Sequence, residues 1–483
     1  MKGFIEGRFQ FGEGEEFQLA RRDGPFAWIP ISKEDRDSSR LHITFTELAK
    51  HYGPLMMMKF ALVNPFIIIS NHKAAMEVLK HQDRILSGRY PPHSVQVPGY
   101  FEHSLVFKDS MDETWKMLRK LWKMELFSTK NMDSLASIRE EKAMELVGFL
   151  RRKRLGQVVE LKEMLLGCVM NILGCVMFSQ DLYEYEEKGG LVMKDLVREL
   201  MTLANTPNLS DYYTFLRGFV DMHGLRRKTG ECVKRLNESW AGIVEERRAT
   251  GDHSRNDFLD VLIQANMTDP QIDALFLEML GAGTESSTCT IEWAMSELIK
   301  NPDKLFKLED ELNKVIGRRE VKESDLENLH YLHACIKETF RLHSPVTLLI
   351  PHRATETCQV MNYTIPKNSQ ILVNTYAIQR DPDVWEDPSS FKPERFMNSS
   401  VDYQGNDFRY IPFGAGRRIC PALSFASRVT RLILASLIHN FEWSLPEGTK
   451  PGELDMEDIF VLVLDKAVPL KVVPKARQTD QVL

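Results

Sequence analysis

From about Ser110 to about Leu342 apolar residues return at every third or fourth position, as in WKMLRKLWKMELF, SIREEKAMELVGFLRRK, SWAGIVEERRAT and DKLFKLEDELNKVIG. That period marks helices with one face on a core, and its extent commits the chain to a mainly α fold. Patterns suited to strands are confined to short stretches. PLMMMKFALVNPFIIIS predicts a hairpin near the start, and QVMNYTIPKNSQILVNTYAI predicts a second, turning at Pro366, Lys367 and Asn368. FVLVLDKAVPLKVVP adds short strand pairs near the end. No repeat, low-complexity tract or linker interrupts this order. A single domain, mainly α with a small β portion, is expected.

A chain of 483 residues buries a large core without disulfide or zinc staples. Its seven cysteines are odd in number and none lies in a CxxC pair, which excludes a disulfide framework and a structural zinc site and points to a reducing compartment. A net charge of −6 gives no overall pull toward nucleic acid or anionic membrane. The longest apolar stretch, Met164 to Phe178, is shorter than the roughly 20 residues that span a bilayer. It carries Asn171 and two glycines, so a buried core helix is expected there. From Gln379 to Pro412 the chain has no periodicity; loops of that length are functional or packed by their own side chains.

One cysteine has a distinctive setting, FGAGRRICPALSFA (Phe413 to Ala426). Thiolates are favoured at helix N-termini near positive charge. Arg417 and Arg418 are expected to place cations beside Cys420, and Pro421 suits the first helical position. Gly414 and Gly416 let the backbone pass close to something flat. Taken alone, a small buried cysteine at an ordinary helix start accounts for the segment equally well. However, Phe413, Gly416, Arg418 and Cys420 resemble the haem-binding signature of cytochromes P450, with Ala422 in place of its final glycine. The resemblance implies that Cys420 is the axial thiolate of a haem b iron and that Arg418 pairs a haem propionate.

Further segments fit the same family. KETFR supplies Glu338 and Arg341 at i and i+3, and Pro393–Phe396 supplies Arg395; the resemblance implies a structural Glu338–Arg341–Arg395 network. AGTESST lies in a helical pattern from Gln271 to Ile299, where Gly281 and Gly283 are poor helix formers. A close helix crossing explains them; the resemblance implies instead that Gly283 leaves room for oxygen on the distal haem face. Glu285 and Ser286 then match an acid–alcohol pair that delivers protons. The family usually has threonine there, and serine keeps the hydroxyl but loses the methyl that fixes its rotamer. Trp115 and Arg119 share a helix face, as on any amphipathic helix, and match a propionate-binding pair. His352 or Arg353 matches another propionate contact. Substrate-facing positions carried over are the Tyr100–Leu105 loop with Glu102 and Leu105, Met279, Ala282, Val346 to Leu349 including Leu348, and Phe460, Val461 and Leu462. Glu102 suits a protonated amine, although a solvated loop carboxylate is the plainer account.

The resemblance spans about residues 24–474 and is to plant microsomal P450s of the geraniol-hydroxylase-like and N-methylcoclaurine-hydroxylase-like group. Residues 1–23 read as an N-terminal segment without the usual anchor of about 20 apolar residues, and 475–483 as a polar tail. The implied activity is a haem-thiolate monooxygenase hydroxylating a medium-sized lipophilic plant metabolite, alkaloid or terpenoid, with O2. No flavin or nicotinamide fingerprint occurs, so electrons are expected from a partner, which the resemblance implies is NADPH–cytochrome P450 reductase. Lys116, Arg119, Lys120, Lys123 and Arg417 form a basic cluster suited to its acidic docking face. The competing readings are oxidative coupling or rearrangement without net oxygen insertion, and a haem-free binding scaffold. A monomer on the cytosolic face of the endoplasmic reticulum is expected, with a soluble chain as the alternative.

Overall fold

In the computed structural model, which describes residues 17–21, 24–29, 40–59, 65–186, 191–206, 208, 211, 221, 224–460 and 463–477, the helical period resolves into separate helices. Besides the 14-residue helix Pro302–Val315 and shorter ones, these are α1 (Leu41–Tyr52), α2 (Glu113–Leu121), α3 (Ala136–Lys153), α4 (Leu161–Phe178) and α5 (Leu191–Asn205). They continue with α6 (Leu225–Thr250), α7 (Asp269–Lys300), α8 (His330–Leu342) and α9 (Leu423–Asn440). Local chemistry sets several of their starts. Asp112 caps α2 by accepting from the Thr114 and Trp115 amides. Gln271 turns back to accept from the Thr268 amide at 2.8 Å where α7 begins.

The core is built around α7, which packs on α4, α8 and α9. Among the described residues α4 is the one helix long and apolar enough to cross a bilayer, and 78% of its apolar window is buried inside the protein. It is the core helix expected from Met164 to Phe178. The close approach of α4 and α7 explains Gly283, where a Cβ would lie 3.2 Å from the Leu173 side chain.

The strands are β1 (Phe17–Arg21), β2 (Gly24–Ile29), β3 (Leu55–Lys59), β4 (Phe66–Ile69), β5 (Gly88–Arg89), β6 (Val159–Glu160) and β7 (His352–Arg353). They are followed by β8 (Cys358–Val360), β9 (Tyr363–Ile365), β10 (Gln370–Val373), β11 (Phe441–Ser444), β12 (Asp458–Phe460), β13 (Leu464–Lys466) and β14 (Lys471–Ala476). The main sheet has the order β2-β1-β3-β4-β10-β7-β5. Its β3–β4 hairpin is the one expected near the start, with Leu55 opposite Ile69 and Met58 opposite Phe66. The second hairpin differs from expectation. It turns at Met361 and Asn362, joining β8 to β9, where Met361 takes φ +55°. The Pro366–Asn368 turn instead sends the chain into β10, which pairs in parallel with β4. A turn signal shows where a chain bends, not which strand receives it. At the C-terminal end β12 pairs with β13, and β14 with β11 and β6.

Glu338 and Arg341 are both fully buried and joined by two hydrogen bonds of 2.8 and 2.9 Å. Arg395 Nε donates to Glu338 at 2.9 Å, so the expected charge network forms. Arg341 also donates to the carbonyls of Gln379 and Pro388. The long segment from Gln379 to Pro412 is thereby tied to α8, and it packs on itself through Trp385, Phe396, Tyr403 and Tyr410. This meander delivers the chain to the cysteine loop.

Candidate active site

The loop ahead of α9 is shaped by its glycines. Gly414 and Gly416 take φ +72° and +68°. A Cβ on Gly416 would overlap the Leu79 carbonyl oxygen, so this glycine serves close backbone packing and does not itself line a cavity. The Cys420 amide donates to the Phe413 carbonyl at 3.0 Å, closing the loop. Helix α9 starts at Leu423, with Ala422 at its cap, so Pro421 precedes the helix rather than opening it. Phe413 and Cys420 both line a cavity of about 530 Å³. Burial pushes the Cys420 thiol up, while the Ala422 amide and the Arg119 guanidinium pull it down.

The cation acting on the sulfur is therefore Arg119, not Arg417 or Arg418. Arg119 sits at the end of α2 and donates to the Ile419 carbonyl, one residue before the cysteine. Arg417 turns outward to Asp83 at 3.2 Å. Arg418 crosses to the carbonyls of Ser87 (2.9 Å), Leu105 (3.2 Å) and Lys108 and stacks over the Trp115 ring at 4.8 Å. Trp115 Nε1 donates to the same Leu105 carbonyl at 2.9 Å. Lys116, Lys120 and Lys123 lie on the exposed face, so the proposed basic cluster loses Arg119 to the interior and Arg417 to Asp83.

The choice between His352 and Arg353 is decided by pairing. In β5–β7, Arg89 faces His352 and Gly88 faces Arg353, and directly opposed residues share a sheet face. His352 and Arg89 both line the cavity, whereas Arg353 bonds Asn368 and the Arg89 carbonyl. Arg89 was not foreseen from sequence. No sequence signal marked it; the β5–β7 pairing is close, and a Cβ on Gly88 would lie 2.7 Å from the Arg353 carbonyl oxygen.

Arg89, Arg119 and Arg418 thus converge on one cavity, and among the described residues none of them makes an ion pair with a carboxylate. Burial pushes each guanidinium down, Arg418 to about 10; Arg418 adds to the shift on Arg89, and Arg119 adds to that on Arg418 against the pull of Asp109 and Glu278. The neutral form of His352 is favoured by its own burial and by Arg89 and Arg418. Buried cations of this kind call for an anionic partner. A flat dicarboxylate group such as haem supplies one, and a thiol in the same cavity supplies a ligand for its metal; the donor set fits.

The opposite wall comes from α7, through Met279, Ala282, Gly283, Glu285 and Ser286. Ser286 Oγ donates back to the Ala282 carbonyl at 2.6 Å. Glu285 lies 3.8 Å from both Lys162 and Arg198, and Lys162 lies 2.7 Å from Asp465. Burial pushes the Glu285 carboxyl up, and Lys162 opposes that shift. Leu105, Val346 and Leu349 complete the lining.

Some expected positions fall elsewhere. Leu348 is buried against Met56, Met58 and Ile68, and Phe460 packs on that same cluster, because both face the β3–β4 side. Val461 and Leu462 lie outside the described residues. Glu102 is exposed and accepts from the Gly99 amide at 2.9 Å, away from the cavity. The carboxylate that lines the cavity beside this loop is Glu278, on α7.

The cytochrome P450 family model matches residues 24–472. The chain is 47% identical to a probable (S)-N-methylcoclaurine 3'-hydroxylase isozyme 2 of Coptis japonica, covering 91% of this chain and 90% of that one. It is 45% identical to corytuberine synthase of Coptis japonica over 94% of each chain. Among solved structures it is similar to a zebra fish cytochrome P450 with progesterone, at a TM-score of 0.78 and 25% identity over 90% of this chain and 99% of that one.

Proposed function

The chain belongs to the cytochrome P450 family, and from that premise we propose that Cys420 is the thiolate ligand of its haem iron and that its substrate is an alkaloid. Membership makes it a haem-iron monooxygenase with a small-molecule substrate and a reductase as redox partner. The observation that carries the finer reading is the cavity where Cys420 meets buried Arg89 and half-buried Arg119 and Arg418, none of which makes an ion pair with a carboxylate among the described residues. Arg89, Arg119 and Arg418 would take the propionates, with Trp115 and neutral His352 beside them. Bound there, a thiolate-ligated haem b would supply reductive activation of O2, with one oxygen atom inserted into a C–H bond and the other leaving as water.

The residues around it control access and protons. Met279, Ala282, Val346 and Leu349 present apolar surface that suits a medium-sized lipophilic substrate and excludes water. Ser286 is the hydroxyl nearest the role of proton donor, with Glu285 held ready behind it by Lys162 and Arg198. Alkaloid is preferred over terpenoid because relatives at 44–47% identity are named as N-methylcoclaurine hydroxylases. Electrons come from NADPH through the reductase, docking on the Lys116–Lys123 face. The enzyme acts as a monomer on the cytosolic face of the endoplasmic reticulum.

A second reading, oxidative coupling without oxygen insertion, draws support from Ser286, whose hydroxyl is engaged with the Ala282 carbonyl. Product formed under labelled O2 separates the two: hydroxylation incorporates one labelled atom and coupling none. The thiolate assignment is tested by reducing the purified holoenzyme under carbon monoxide. A thiolate-type Soret band is expected in the native protein and absent in Cys420→Ala; the same band in both would move the ligand role to another residue.

A further inference from the structure

We propose that Glu278 is a positioning residue that fixes the 100–106 loop to α7 and, through one shared peptide group, joins the roof of the substrate space to the haem cradle. Glu278 is only 7% exposed. One carboxylate oxygen accepts from Ser104 Oγ (2.5 Å), the Val106 amide (3.1 Å) and the Tyr100 hydroxyl (3.4 Å); the other accepts from the Leu105 amide at 3.0 Å. All four donors belong to the loop. The cavity's other carboxylates, Glu285 and Asp465, are matched to Lys162 or Arg198. Glu278 has no cation within ion-pair distance among the described residues, so neutral loop donors carry its stabilisation. Burial pushes its carboxyl up to about 7, and the same loop donors oppose that shift.

The loop is gripped from its other side by the cradle. The Leu105 carbonyl accepts from Trp115 Nε1 and Arg418 Nη1, and the Val106 carbonyl accepts from Arg89 Nε at 3.2 Å. The Leu105 carbonyl and the Val106 amide belong to one peptide group. That group is polarised by an arginine at its oxygen and a carboxylate at its nitrogen, an arrangement in which each bond strengthens the other. Removing the carboxylate therefore loosens the loop and also the seat of Arg418 and Trp115. The loop half stands on geometry alone; the cradle half rests on the cofactor assignment above.

The test uses the ferric holoenzyme and its Glu278→Gln variant, in which the amide nitrogen no longer accepts. Two quantities are read: hydrogen–deuterium exchange of the 100–107 segment, and the rate of haem transfer to apomyoglobin. Both are expected to rise about tenfold, the scale of one lost charge-assisted hydrogen bond. Faster exchange with unchanged haem transfer would overturn the coupling while leaving the thiolate assignment to its own spectrum, and no change in either would overturn the whole proposal. If Glu278→Gln does not accumulate as holoenzyme, Ser104→Ala and Tyr100→Phe decide together, because each removes one donor and spares the carboxylate, while only Ser104→Ala also frees the Phe107 amide. A smaller rise in both quantities supports the coupling, and unchanged values refute it.

Discussion

Replacing Glu338 by glutamine keeps the shape of the α8 charge network and removes its only anion. Arg341 is fully buried and keeps its carbonyl partners on Gln379, Pro388 and Ser390. None of those carries charge, so the guanidinium is left uncompensated, at a cost of about 3–5 kcal/mol. The amide also loses acceptor capacity where the carboxylate met Arg341, Arg395 and the Lys392 amide. Arg395→Ala is the informative contrast. It leaves the two-bond Glu338–Arg341 pair whole and removes one buried charged hydrogen bond, about 1.5–3 kcal/mol, together with two exposed bonds to the Glu386 and Asp387 carbonyls. Guanidinium unfolding of the ferric holoenzymes, followed in parallel by tryptophan fluorescence and the Soret band, ranks the two. Native should exceed Arg395→Ala, which should exceed Glu338→Gln. A Glu338→Gln protein within 1 kcal/mol of native, or more stable than Arg395→Ala, would refute the reasoning.

Gly416→Ala combines a positive φ with overlap of the Leu79 carbonyl, whereas Gly414→Ala meets only Leu349, at 3.7 Å. Haem content per polypeptide should collapse in the first and fall modestly in the second, whose strain is about 1–3 kcal/mol. His333 is held near pKa 3, by burial first and then by Arg431, Lys337 and His330. Between pH 6.5 and about 3 the unfolded chain takes a proton that the folded chain refuses, so stability falls as pH falls, by up to about 1.4 kcal/mol per unit. His333→Gln should flatten that acid limb in pH-resolved unfolding. Glu292 behaves oppositely: burial pushes its carboxyl up to about 7 despite the Leu470 amide at 2.8 Å. The folded state holds a proton that the unfolded state has lost, so stability falls as pH rises from 4.5 to about 7. Glu292→Gln, which can still accept from Leu470, should remove that slope.

The features legible in sequence were those whose meaning is local. The 3.6 period marked α2 through α8, and the spacing of Phe413, Gly416, Arg418 and Cys420 located the cysteine loop because its turn depends on neighbours in the chain. Glu338 and Arg341 were readable as an i, i+3 pair. The rest needed the third dimension. Glu102 and Glu278 carry the same charge, yet only packing shows that one caps a surface turn and the other lies under the loop. Leu348 and Val346 are separated by a single residue, yet one joins the β3–β4 cluster and the other lines the cavity, since an irregular segment has no period to assign its sides. Arg89 became visible only through its register with His352.

The three arginines that meet in the cavity come from β5, the end of α2 and the loop before α9, and they repel one another until an anion arrives. On the proposed assignment the folded chain carries that repulsion until the propionates bind and relieve it. Occupancy at a thousand times the dissociation constant adds about 4 kcal/mol to the finished form. If the proposed cradle holds the propionates, porphyrin supply would raise the fraction of chains that stay folded as well as the fraction that can turn over substrate.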